Sequence, residues 1–167
     1  MNTWLISDTH FGHSNILKFK DYNGNYLRQF YNVDHMDETM IENWNKVVKP
    51  DDKVYHLGDV AICKPSDFHR IMRRLNGRKV LIKGNHDTMK LSVYAEYFKD
   101  IRGYHVLDNI LLAHIPVHPE SVVRFRGQLH GHLHKNSLYD PRYKNVSVEV
   151  IGFTPVNFEE LRELWKR

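Results

Sequence analysis

The chain carries a single cysteine, Cys63, among 167 residues, so an internal disulfide framework and a cysteine-rich zinc module are both excluded. A reducing, cytoplasmic setting is the expectation that follows. Long apolar runs are missing as well: stretches such as Ile110-Leu111-Leu112-Ala113 fall far short of the roughly 20 residues a membrane span needs. The opening segment, Thr3-Trp4-Leu5-Ile6-Ser7-Asp8, has no basic start, apolar centre or small-residue cleavage site of the export type. Neither export nor a membrane partner is expected. No repeat, low-complexity tract or Gly/Ser linker divides the chain, and a single domain over 1–167 is the simplest reading.

What is present is enough for a core, with 41% hydrophobic and 12% aromatic residues. The formal charge of +4 leans the surface toward polyanions, modestly for a nucleic-acid binder. Twelve histidines are the more unusual feature. Most would be neutral near pH 7, the form that ligates metals.

Short apolar strands are expected at Trp4 to Ser7, Lys53 to Leu57 and Lys79 to Lys83. Between them lie two amphipathic helices. The first runs from Asp34, taken as its cap, to Lys49, with Met36, Met40, Ile41 and Trp44 on one face; the second runs from Ser66 to Leu75 and stops at Asn76-Gly77. This alternation implies parallel pairing. Beyond residue 100 strands dominate, at Tyr104 to Leu107, Ile110 to Ala113, Gln128 to His130 and Val146 to Ile151, suggesting a second, mixed or antiparallel sheet. A last helix over Asn157 to Trp165 starts with Asn157 and Glu160 as a capping-box pair, and turns Phe158, Leu161, Leu164 and Trp165 inward. The expected class is α/β, two sheets with helices outside. Residues 18–33 and 115–128 yield no conformation from sequence.

Acids, amides and histidines fall just past the ends of these strands, where α/β proteins bind ligands. Five places are occupied: Asp8-Thr9-His10, Gly58-Asp59, Gly84-Asn85-His86-Asp87, His114, and Gly131-His132-Leu133-His134. In Asp8-x-His10 and His132-x-His134, an extended backbone would put both side chains on one side. Gly58, Gly84 and Gly131 each lie close before a candidate ligand and permit sharp turns and close approach. The donors are carboxylates, an amide and imidazoles without thiolate, a mixture that suits Mn²⁺, with Fe, Zn²⁺ or Ni²⁺ as alternatives. With two such dications sharing Asp59, and Asp8, Asp59 and a bridging hydroxide offsetting part of their charge, a net positive centre remains for a phosphate ester.

These five motifs, in this order, resemble the calcineurin-like metallophosphoesterase superfamily, and most closely its small bacterial and phage-type members that begin with a phrase like Ile6-Ser7-Asp8-Thr9-His10-Phe11-Gly12-His13. The resemblance spans residues 8 to 134. It implies a four-layer α/β-β/α sandwich, two mixed sheets flanked by helices. One metal would be held by Asp8, His10, Asp59 and His134, the other by Asp59, Asn85, His114 and His132. His86 would steady the transition state or protonate the leaving alkoxide, Asp87 would orient that imidazole, and the nucleophile would be a hydroxide bridging the metals. The implied activity is hydrolysis of phosphomonoesters or phosphodiesters, on a phosphorylated small molecule or nucleotide.

A lone Asp-x-His or His-x-His is common in cores and on surfaces, so only the joint pattern carries weight. His13 is a candidate substrate contact with a surface role as its counterpart. His56 and His130 read as packed residues, and His35, His69, His105 and His118 as structural or exposed. Arg70, Arg73 and Arg74 share a helix face that reads as solvated. Nucleic acid is a less favoured partner, a small nuclease or cyclic-nucleotide phosphodiesterase the second reading, and a non-catalytic interaction scaffold the third. Oligomeric state is left open by the sequence.

Overall fold

The computed structural model describes residues 1–166. In chain order the elements are β1 (Thr3–Ile6), α1 (Val33–Val47), β2 (Lys53–His56), α2 (Pro65–Met72), β3 (Arg78–Ile82), α3 (Leu91–Ala95), β4 (Phe98–Arg102), β5 (Tyr104–Leu107), β6 (Ile110–Ala113), α4 (Pro119–Val122), β7 (Gly127–His130), β8 (Tyr143–Asn145), β9 (Val156–Asn157) and α5 (Phe158–Arg162). Short 3-10 turns occupy Ser14–Lys18 and Glu163–Trp165.

Alternation along the strands sets the layers. In the first sheet, of order β4-β3-β2-β1-β9, Ile6, Val54 and Leu81 pack under Met40, Trp44, Phe68 and Ile71 of α1 and α2. The intervening Leu5, Tyr55, Val80 and Ile82 face the second sheet, β5-β6-β7-β8, and meet Ile110, Leu112 and Leu129. Phe158 and Leu161 of α5 enter this inter-sheet core. β1 through β4 are parallel and β9 antiparallel. In the second sheet β5 is antiparallel to β6, and β6, β7 and β8 are parallel, so both sheets are mixed. The four-layer sandwich is therefore present, its outermost layer thinned to α4 and the segment around it. Trp44 is fully buried and donates its indole N–H to the Asn76 carbonyl at 2.9 Å. Its truncation to alanine is worth about 3–5 kcal/mol.

Local details depart from the sequence expectations. Helix α1 is capped by Asn32, whose side chain accepts from the His35 N–H at 2.8 Å; Asp34 lies inside the first turn. The helix stops because Lys49 precedes Pro50, which disfavours helical backbone there. The Val146 to Ile151 stretch is not a strand: Ser147 bridges Ser7, and the chain then turns, with the Val150 N–H on the Ser147 carbonyl at 2.9 Å. The strand of that region is β8 instead. At the C-terminal helix, Phe158 and Leu161 are buried as expected, but Leu164 is 57% exposed. Asn157 accepts from the Glu159 N–H. Among the described residues no helix is long and apolar enough to cross a membrane.

Candidate metal centre

The ends of β1, β2, β3, β6 and β7 converge on one rim of the sandwich. Ser7 links the two sheets there, donating its N–H to the Val146 carbonyl at 3.1 Å, and Asp8 follows with its N–H on the Gly58 carbonyl at 2.9 Å. Among the described residues eight non-glycine positions have left-handed φ, and five of them are Asp8 (56°), His10 (49°), Asp59 (56°), His132 (68°) and His134 (51°). This corrects the expectation that Asp8-x-His10 and His132-x-His134 are extended. The side chains meet because the backbone coils tightly at each one, a conformation worth of order 1–3 kcal/mol of strain per residue and concentrated at functional sites. Glycines at the rim, Gly58, Gly84 and Gly131, allow the approach. A Cβ on Gly58 would lie 2.5 Å from the Gly84 nitrogen, and one on Gly131 would collide with Ser7 Oγ and Asp8 Oδ2.

Two groups of donors result. Asp8, His10 and His134 form one, Asp59, His114 and His132 the other, and within each the donor atoms all lie within 4.8 Å of one another. Asp59 links them: its Oδ2 is 3.5 Å from His10 Nε2 and 3.4 Å from His114 Nε2. Asn85 joins the second group, its Oδ1 lying 2.9 Å from His114 Nε2 and 3.1 Å from His132 Nδ1. Asp8 Oδ1 is 3.8 Å from His10 Nε2 and 3.9 Å from His134 Nε2. Metal bonds of up to about 2.2 Å hold opposed ligand atoms at most about 4.4 Å apart, so these separations suit shared cations. Asp8 Oδ1 and His10 Nε2 are also buried without any hydrogen-bond partner. Buried polar atoms are rarely left so. Two orphaned donors facing each other fit a bound cation, and either group can hold one.

The surroundings fix each ligand's free atom. His114 Nδ1 donates to the Leu57 carbonyl at 2.7 Å, leaving Nε2 for the centre. His134 Nδ1 lies 2.6 Å from Glu149 Oε1, again leaving Nε2. Glu149 is in turn 3.1 Å from the Arg28 guanidinium, which is buried and donates to the carbonyls of Asp8 and Thr9. Asp8 Oδ2 accepts from Ser7 Oγ (2.6 Å), the His132 N–H (2.8 Å) and Ser147 Oγ (3.2 Å). Neither Glu149 nor Arg28 is expected beside the metal ligands from the sequence. Glu149 follows a valine-rich stretch with no metal-site spacing, and Arg28 lies in the underivable 18–33 segment.

Asp87 does not orient His86. Its wholly buried carboxylate accepts from the N–H groups of Asp59 (2.8 Å), Val60 (2.9 Å) and Gly84 (2.7 Å). Three backbone donors occupy it, so its work is to clamp the two ligand-bearing loops together. His86 stands exposed at the mouth, its ring 5.6 Å from that of His10 and its N–H on Asp59 Oδ1 at 2.8 Å. His13 stacks on His10 at 5.4 Å and forms a wall of the same opening. His56 and His130 are buried as packed residues. His56 bonds Thr9 Oγ1 at 2.9 Å and accepts from the Gly58 N–H.

Charge follows this geometry. Burial opposes ionisation of Asp8, but the imidazoles of His10, His114 and His134 close by bring it down to about 2. Asp59 is held well below the ordinary carboxylate range, its burial outweighed by His10 and His114. Burial also opposes a charge on His114, yet the hydrogen bond to Asp59 and the Asp8 and Asp59 charges raise it to about 9. His13 falls to about 4 through burial and the neighbouring His10 and Arg28 charges. Without metal, imidazolium charge balances the carboxylates, and a cation entering the site displaces those protons.

No protein-family model matches the chain. The uncharacterized protein MJ1445 of Methanocaldococcus jannaschii is 39% identical over 173 residues, covering 96% of this chain and 89% of that protein. The chain belongs to the family of MJ1445. Another relative, the Gene 66 protein of Mycobacterium phage L5, is 34% identical over 89 residues, 52% of this chain and 40% of its own length. Among solved structures, AQ665 from Aquifex aeolicus, described as a protein of unknown function, aligns with a TM-score of 0.78 at 31% identity, covering 98% of each chain. None of these descriptions names an activity, so within this family chemistry has to be argued from the site.

Proposed function

We propose that this protein hydrolyses phosphate esters with a pair of divalent cations, in the manner of the calcineurin-like metallophosphoesterases. The observation that carries the reading is Asp59, whose one carboxylate oxygen lies between the imidazoles of the two donor groups. When bound, the cations supply Lewis-acid charge on the phosphate oxygens and an acidified water. Asp8 and Asp59 contribute two negative charges against four positive ones, so the mouth stays electropositive toward an anionic ester. Asp87 holds the Asp59 loop in place, and Glu149 fixes the ring of His134. His86, exposed at the mouth, hands a proton to the leaving oxygen, and His13 borders the phosphate from the other side. Oxygen and nitrogen donors without thiolate favour Mn²⁺, with Fe, Zn²⁺ or Ni²⁺ as alternatives.

The test is turnover of phosphate mono- and diesters by the Mn²⁺-loaded protein. Hydrolysis is expected for the native chain, abolished by chelation and by Asp59→Asn, with His86→Ala lowering kcat by about 10²–10⁴ while leaving Mn²⁺ bound. No turnover above the Asp59→Asn background would reject the reading. The ratio of monoester to diester turnover separates phosphatase from phosphodiesterase.

A further inference from the structure

A cavity of about 650 Å³ opens beside the second donor group, with Asn85 and His114 in its wall. Its remaining surface is mostly apolar, from Leu111 and Ala113 on the outer face of β6 and from Ile115, Val117 and Phe125 opposite. Tyr104 stands at its edge, 65% exposed, and Ile115 is 50% exposed. Apolar side chains left in solvent around a polar catalytic mouth call for an explanation, because they are stabilised only when something covers them.

The wall is built rather than loose. Gln128, fully buried, donates its amide to the Ile115 carbonyl at 2.7 Å and accepts from the Val117 N–H at 3.0 Å. Tyr143 donates its hydroxyl to the Val117 carbonyl at 2.7 Å. A buried side-chain amide spent on holding a surface segment keeps Ile115 and Val117 at a fixed distance from β6. Lys83, at the rim, has no carboxylate partner among the described residues and adds positive potential beside Asn85 and His114 of the second donor group.

We infer that this cavity is the subsite for the organic part of the substrate, and that it takes a planar aromatic group, an aryl or nucleobase-like ring carried by the phosphate ester. This rests on the proposed phosphoesterase reading and goes beyond it by naming the ester class. A phosphate alone would leave the cavity empty, whereas its volume lies within the roughly 300–1,000 Å³ of pockets that enclose whole organic ligands. A flat ring can lie on the apolar surface that β6 and the Ile115–Val117 wall present, with Tyr104 available for an offset or edge-on contact.

The experiment is calorimetric titration of the Mn²⁺-loaded protein with two non-hydrolysable ligands, methylphosphonate and 1-naphthylmethylphosphonate. The naphthyl compound is expected to bind at least tenfold tighter. Tyr104→Ala and Ile115→Ala, both at exposed positions, are expected to remove most of that preference while leaving the methylphosphonate affinity within about twofold of native. Equal affinity for the two ligands overturns the inference but leaves the metal-site reading standing. A preference unchanged in both variants places the ring elsewhere and also overturns it. If neither phosphonate binds the loaded protein, the phosphoesterase reading fails, and the subsite with it.

Discussion

Glu149→Gln separates the support of the centre from the centre itself. The native side chain is 1% exposed and stands between a fully buried Arg28 guanidinium, 3.1 Å away, and His134 Nδ1 at 2.6 Å. Glutamine keeps the size and can still accept from either neighbour, but it leaves the Arg28 charge buried without its counter-ion. Removing one partner of a buried ion pair costs about 3–5 kcal/mol, and the lower end applies because the acceptor survives. Against a total stability of order 5–15 kcal/mol this is a large fraction. For a chain of this length it lowers Tm by roughly 6–12 °C. His134 also loses the anion that fixes its ring, so Mn²⁺ affinity should fall about 10–100-fold. Urea unfolding in chelator, followed by tryptophan fluorescence, reads the first effect, and Mn²⁺ titration calorimetry the second. A Glu149→Gln protein within about 0.5 kcal/mol of native and with native Mn²⁺ affinity would refute the coupling of Arg28, Glu149 and His134.

The metal-free protein should also lose stability as pH rises. His114 is raised from 6.5 to about 9 on folding, so its contribution is complete below pH 6.5 and is lost as pH climbs through 9, up to roughly 3 kcal/mol. Asp8, lowered from 3.8 to about 2, adds stability present above pH 3.8 and lost as pH falls through 2. Urea midpoints in chelator from pH 5 to 9.5 check the first, and a flat profile contradicts it; Mn²⁺ affinity should rise over the same range as His114 gives up its proton. Gly131→Ala drives a methyl group into Ser7 Oγ and Asp8 Oδ2 and should abolish binding of at least one Mn²⁺ per chain, read by metal analysis after desalting. Gln128→Ala strands a backbone N–H and a carbonyl behind the Ile115–Val117 wall and should lower stability by about 1–3 kcal/mol, measured by urea unfolding.

Where local pattern and tertiary structure agreed, the sequence was readable. Glycine next to an acid or imidazole after an apolar strand marked the rim, because close backbone approach there leaves no room for a Cβ. It stopped being readable where distant residues decide the backbone. The valines at 146, 148 and 150 alternate like a strand, yet the chain turns after Ser147, and the turn is what brings Glu149 beneath His134. The left-handed ligand residues are invisible for the same reason: a sequence pattern treats Asp8-x-His10 as extended, and only bonds to the Gly58 and Asp59 carbonyls of the neighbouring loop coil it. Asp87 was misjudged because adjacency to His86 suggested a pair, while its carboxylate points inward to three backbone N–H groups. The 115–128 segment depends on Gln128 and Tyr143, whose role no periodicity records.

The central claim is two cations astride Asp59. Anomalous scattering from crystals soaked in Mn²⁺ tests it most directly. Two peaks about 3.5–4 Å apart are predicted, one among Asp8, His10 and His134 and one among Asn85, His114 and His132, with Asp59 touching both. A single peak, or Mn²⁺ bound away from Asp59, would contradict it.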